Sequence, residues 1–324
     1  MRYRSLPLAI FAAIALAAGP LSGQEAQHQS SEPGAQLAHK TLGPADIIMP
    51  HITDSKHLEL PCWKGAAEWA CEVTLPTWNV NLGGPFGVVD FGPTKHVVFL
   101  LLSALLVALV VMLAARAHVR STKTIGRPRG FAAGLEAVIL YLRNEVFMPV
   151  LGSHGGERFI PFVLSLFFFI LFCNLFGLIP YGSTPTGNIS VTLTLALVTF
   201  VVVEVAGARA LGRGYLGTII YWPHDMSLPL KLLLSPIMTP VEIIGKFTKP
   251  FALTIRLFAN MIAGHVIILA LIGLIFLFGY AVALAAIPMA LFIMFLEILV
   301  AFIQAFVFAL LAAVFIGQIR AAHH

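Results

Sequence analysis

Val97 to Ala115 is apolar without a single charged side chain, and further apolar runs follow at Phe159 to Ile179, Val191 to Ala208, about Pro236 to Phe278 and Pro288 to Ile319. Such stretches constrain the fold more than any other feature, because about 20 apolar residues in a helix cross a hydrocarbon core about 30 Å thick. Within lipid every backbone polar group must be bonded inside the spanning structure, which leaves helices and closed barrels. A barrel reads as alternating segments of about 10 residues, so these continuous runs specify helices. The composition agrees, with 59% hydrophobic and 11% charged residues against roughly 45–50% and roughly 25% in soluble domains. A soluble monomer is excluded. The net charge of +5 then bears on membrane orientation and gives no support to a nucleic-acid partner.

The chain begins Met1-Arg-Tyr-Arg4, continues with an apolar run from Leu6 to Ala18 and reaches the small-residue zone Gly19 to Gly23. These are the three zones of a secretory signal peptide, and the run is too short to span. Residues 1–23 are therefore expected to be a signal peptide, 24–96 an exported extension and 97–324 a membrane domain. The extension carries Glu25, Glu32, Asp46, Asp54, Glu59, Glu68, Glu72 and Asp90 against Lys40, Lys56, Lys64 and Lys95. Its acidic balance suits the outer face. Cys62 and Cys71 lie in it, where an oxidising compartment makes a local disulfide plausible. Cys173 sits in an apolar run and reads as packing.

The run from Val97 leads into Arg116, Arg120, Lys123, Arg127 and Arg129, which assigns that loop to the cytoplasm. Phe131, Leu135, Val138, Ile139, Leu142 and Val146 then recur at helical spacing, predicting an amphipathic helix along the interface. The C-terminal third differs in kind. From Pro288 to Ile319, 32 residues at 1.5 Å rise would extend about 48 Å, well beyond a core of about 30 Å, and the preceding run is longer still. The predicted fold is an all-α polytopic membrane protein with about five crossing helices plus an interfacial amphipathic helix, the last two helices long and strongly inclined. With the N-terminus exported and the C-terminus cytoplasmic, Arg209, Arg213 and Arg320 all fall inside.

Ionisable side chains within membrane helices are costly, at about 2.5–3.5 kcal/mol for a central Arg. The last two runs nevertheless contain Glu242, Lys246, Lys249, Arg256, His265 and Glu297. Lys246 and Lys249 read as cations snorkelling to the cytoplasmic side. At about 100° per residue, Asn260 lies one turn beyond Arg256 on the same face and Glu242 about 40° off it, while His265 is about 180° away. Two polar tracks on one helix follow. Glu297 and Gln304, seven residues apart, are nearly aligned, and in an antiparallel pair they would face His265 and Arg256. On this reading the intramembrane polar groups are confined to the last two helices.

The stretch Lys249-Pro-Phe-Ala-Leu-Thr-Ile-Arg-Leu-Phe-Ala-Asn-Met-Ile-Ala-Gly-His265, followed by Glu297 and Gln304, resembles the a subunit of F-type ATP synthases. Asn174-Leu-Phe-Gly-Leu-Ile-Pro180 and Asn188-Ile-Ser-Val-Thr192 extend the resemblance over roughly Val97 to Arg320. The resemblance implies that Arg256 is the stator arginine, Asn260 its companion, Gln304 the polar residue facing it, and Glu242 an acidic group on the cytoplasmic side of the path. Many bacterial members put Glu where this chain has His265 and His where it has Glu297, so the pair is exchanged, as in the mitochondrial arrangement, with one carboxylate and one imidazole retained.

The resemblance further implies a non-catalytic, proton-translocating subunit of a bacterial inner-membrane complex. Its partners would be a ring of c subunits, the b-subunit peripheral stalk and the rest of the ATP synthase, with no cofactor and no metal. Two offset half-channels would meet the ring with Arg256 between them. The alternative is a secondary transporter in which an intramembrane Arg binds an anionic substrate, but such folds usually show internal repeats.

Overall fold

Among the described residues, five helices are long and apolar enough to cross a membrane, over Lys95–Leu113, Gly156–Gly177, Ile189–Leu211, Leu228–Phe278 and Tyr280–Arg320. The protein is an all-α polytopic membrane protein. Its structure, a computed structural model, describes residues 53–61, 70–81, 88–90, 92–123, 130–152, 155–179, 182–220 and 227–321. The signal peptide and Cys62 lie outside the described residues, and with Cys62 the expected pairing to Cys71.

Ahead of the membrane helices come two antiparallel hairpins. In the first, β1 (His57–Pro61) pairs with β2 (Ala70–Thr74), and in the second β3 (Asn79–Asn81) pairs with β4 (Val88–Asp90). The helices are α1 (Lys95–Lys123), α2 (Phe131–Tyr141), α3 (Met148–Leu151), α4 (Ile160–Gly177), α5 (Ile189–Leu211), α6 (Leu228–Phe278) and α7 (Tyr280–Ala321). Two compact units share them. One draws on Met1–Val107, Phe169–Thr194 and Leu257–Gln304, the other on Ala108–Phe168, Leu195–Arg256 and Ala305–His324.

In the first unit, Leu100, Phe169, Ile170, Cys173, Leu257 and Met261 form the apolar core. Asn174 inside it is satisfied on both sides of its amide, as a lipid-immersed interior favours. The Asn174 amide donates to the Ala301 carbonyl at 3.4 Å and accepts from the Thr186 hydroxyl at 2.6 Å. In the second unit, α7 buries Ala305, Phe308, Ala309, Ala312, Ala313 and Ile316. Small side chains on this face let backbones approach closely, and a Cβ at Gly317 would run into the Val150 carbonyl.

Two expectations are corrected. The last two helices begin at Leu228 and Tyr280, eight residues before Pro236 and Pro288, which lie inside them. The prolines are interior positions rather than helix starts, tolerated because membrane helices re-satisfy the freed backbone groups locally. Only Gly279, at φ +81°, separates the pair. Left-handed backbone of this kind favours glycine. With 51 and 42 residues, unbent helices would measure about 77 and about 63 Å, so neither fits upright within a core of about 30 Å.

The amphipathic helix also departs from the predicted stripe. Between α2 and α3 the chain forms a π-helical segment, Leu142–Phe147. Its wider turn shifts the buried face to Leu142, Phe147 and Leu151, while Val138 stands exposed. A regular 3.6-residue period cannot anticipate that shift.

Candidate functional site

The first unit holds a cavity of about 290 Å³ bordered by His96, Ser183, Thr184, His265, Met294 and Glu297, among others. Its polar groups come from four places in the chain: the start of α1, the α4–α5 connection, α6 and α7. His265 Nδ1 lies 3.5 Å from Glu297 Oε1, and its Nε2 is hydrogen-bonded with the Thr184 hydroxyl. Glu297 is only 4% exposed, and neither carboxylate oxygen has a hydrogen-bond partner among the described residues; the Ser183 hydroxyl is likewise buried and unpartnered. Buried polar groups left so carry a large desolvation cost. A cavity of this size has room for several water molecules that would offset it.

Two glycines let these elements close on one another. A Cβ at Gly264 would meet Glu297 Oε1 at 2.6 Å, and one at Gly177 would overlap the Thr184 hydroxyl and reach His265 Nε2. One helical repeat along α7 from Glu297, the buried Gln304 accepts a hydrogen bond from the Asn260 amide at 3.1 Å. Arg256 is different. It is exposed on α6, flanked by Phe251, Ile255, Leu257 and Met261, and among the described residues it makes no hydrogen bond or ion pair.

The second unit holds a cavity of about 210 Å³ lined by Thr199, Glu204, Thr218, Glu242, Lys246 and Lys249, with apolar neighbours. Lys246 Nζ sits 3.3 Å from Glu204 Oε2, donates to the Thr218 hydroxyl and lies 4.9 Å from the centre of the Tyr215 ring. Lys249 Nζ lies 4.7 Å from the Phe315 ring centre. Lys246 is thus held by a carboxylate and a ring rather than snorkelling freely. A desolvated cation of this kind gains from both contacts.

Glu204 was not among the predicted site residues, and it corrects the expectation that intramembrane polar groups are confined to the last two helices. Its signal was present, since it is a carboxylate within an otherwise apolar crossing. Thr184 was missed because a hydroxyl in a connection carries no such signal. Among the described residues no group of three or more His, Cys, Asp or Glu is arranged to hold a metal ion.

Residues 97–317 match the family described as ATP synthase A chain. The chain belongs to that family. It is 44% identical over 321 residues to ATP synthase subunit a of Anaeromyxobacter sp. (strain Fw109-5), covering 92% of this chain and 75% of the relative. It is 47% identical over 289 residues to ATP synthase subunit a of Myxococcus xanthus (strain DK1622), covering 86% and 90%. With ATP synthase subunit a 2 of Chlorobaculum tepidum (strain ATCC 49652 / DSM 12025 / NBRC 103806 / TLS) it shares 44% identity over 303 residues. Arg256, Asn260, His265, Glu297, Gln304, Glu242 and Glu204 all fall within residues 97–317, whereas Asp54 and His96 precede them.

Proposed function

We propose that this chain is the proton-translocating stator subunit of a rotary F-type ATP synthase. The observation that carries the reading is Arg256, an exposed cation in an apolar helix with no partner among the described residues. Left against lipid it is costly, and a carboxylate on a neighbouring subunit is the partner that removes the cost. Each c subunit of the ring would supply one. Arg cannot be deprotonated in proteins, so Arg256 presents fixed charge and passes no proton. A ring carboxylate facing it is favoured ionised, and desolvation favours the protonated form once the carboxylate turns into lipid.

The cavity of His265 and Glu297 is then the access path from the exported side, and that of Glu242, Glu204 and Lys246 the path to the cytoplasm. Each path ends at the ring, with Arg256 between them, so a proton crosses only by riding a ring carboxylate. The membrane potential contributes about 2.3 kcal/mol per charge per 100 mV. On this reading the chain is non-catalytic by itself and resides in the bacterial inner membrane, with residues 24–96 exported behind a signal peptide, the C-terminus cytoplasmic, and the b-subunit peripheral stalk as a further partner.

Extraction in mild detergent should co-purify this chain with a ring of small subunits bearing a membrane carboxylate. A solitary chain that binds an anionic substrate instead would establish the transporter reading. Gly264→Val provides a local test, because the added side chain displaces Glu297 from His265. A misplacement of about 1 Å can cost up to roughly 100-fold in rate. Proton translocation per assembled complex should drop accordingly, and an unchanged rate would separate the Gly264 contact from the path.

A further inference from the structure

Ahead of α1, the segment Thr53 to Lys56 is fastened to the first turn of the helix. The Lys95 N–H donates to the Ser55 carbonyl at 2.9 Å, and the His96 N–H donates to Asp54 Oδ1 at 3.3 Å. Asp54 thereby does from a distance what an N-cap residue does locally, meeting one orphan N–H and the positive end of the helix dipole. Capping alone does not require the second contact. The His96 imidazole Nδ1 stands 2.8 Å from the same carboxylate oxygen, with His96 only 3% exposed. His96 also borders the cavity that contains His265 and Glu297.

We propose that Asp54 and His96 form the outermost proton-accepting station of that cavity, a station built from the segment ahead of α1 and the first turn of that helix. The proposal rests on reading the cavity as the exported-side access path. Imidazole is the side chain whose ordinary titration falls between about pH 5 and 8. With Nδ1 in close contact with the Asp54 carboxylate, His96 Nε2 accepts a proton from water on the exported side and returns it to water within the cavity, towards Glu297 and His265. His96 ends each cycle neutral, so the proton is conserved. Asp54 acts as a positioning residue, orienting the ring and stabilising the imidazolium.

Burial works to raise the Asp54 carboxyl, but the His96 imidazole, the Thr94 hydroxyl and the His96 main-chain N–H outweigh it and hold the carboxyl below its ordinary value. Its ionised form is thereby favoured. Other charged or titratable groups beside the station include Lys56 and His57, close to Asp54 in the chain, Lys95 on the same turn of α1, and His265 and Glu297, which border the cavity.

The test uses the complete ATP synthase in vesicles, with a fixed potassium-diffusion potential driving ATP synthesis while the pH on the exported side is varied. His96→Gln keeps a polar side chain but cannot titrate. It should lower turnover per assembled complex several-fold and flatten the exported-side pH dependence near neutrality. Asp54→Asn keeps the imidazole and should alter the profile, and Asp54→Glu should restore it. A purely structural clip would change the amount of complex and leave the profile of the assembled fraction untouched. Wild-type profiles for both His96→Gln and Asp54→Asn overturn the proposal; should His96→Gln fail to assemble, the two Asp54 variants decide alone. Arg256→Ala serves as the control in the same vesicles. Its inactivity beside an unchanged His96→Gln profile defeats this inference only, whereas normal coupling in Arg256→Ala defeats the stator reading and this inference with it.

Discussion

Arg256→Ala is expected to abolish ATP-driven proton pumping by the assembled complex in reconstituted vesicles. The size of the effect follows from Coulomb's law. A unit charge about 4 Å from a ring carboxylate, at an effective dielectric constant of about 20, contributes about 4 kcal/mol to the ionised form, or about a thousandfold in its readiness to release a proton. Without that charge the carboxylate has no reason to discharge at the stator, and rotation no longer requires a proton to move. Arg256→Lys restores a positive charge but should not restore full coupling, since an ammonium desolvated in an apolar helix can lose its proton whereas guanidinium cannot. Pumping measured by acidification of the vesicle interior reads both variants. Normal coupled pumping by Arg256→Ala would refute the stator role.

The second large effect concerns His265 and Glu297. His265→Ala removes an imidazole 3.5 Å from a buried carboxylate and also deprives the Thr184 hydroxyl of its partner. Positioned acid–base groups typically contribute about 10²- to 10⁴-fold to proton transfer; water in the cavity can replace part of this, so a loss of about 10-fold or more is expected. His265→Glu combined with Glu297→His returns one carboxylate and one imidazole to the same two positions. If the pair relays protons, the double exchange recovers a substantial part of the rate lost in either single variant. A double variant no better than the singles counts against the relay. Passive proton flow through the membrane sector, measured after the catalytic sector has been removed, isolates this step from ATP hydrolysis.

Much of the architecture could be read from apolar run length alone, because lipid permits so few backbone solutions. The five crossings follow from runs such as Val97 to Ala115, and helical-wheel arithmetic on Glu297 and His265 sets them towards each other across an antiparallel pair. What escaped has a common physical origin. The partnership of Lys246 with Glu204 joins α6 to α5, 42 residues apart in sequence, and no periodicity encodes which two helices meet. The apolar runs start at about Pro236 and at Pro288, yet both prolines sit inside helices that begin at Leu228 and Tyr280. The π-helical turn at Leu142–Phe147 moved a buried face off the 3.6-residue stripe. Thr184 reaches His265 only because Gly177 leaves room for it. These are tertiary facts, decided by packing between segments rather than within them.

The single-residue junction at Gly279 bears on how the topology of this chain can be mapped. On either side of it, Phe276, Phe278, Tyr280 and Leu284 are 75%, 68%, 93% and 86% exposed, an apolar surface suited to lipid and the interfacial belt. No polar loop connects α6 to α7. Soluble proteases find nothing there to cleave, and a charged thiol reagent reaches a cysteine placed at the junction poorly from either aqueous side. Reporters of loop accessibility would therefore count the hairpin as one buried block, and its two helices can be told apart only by probes that partition into the bilayer.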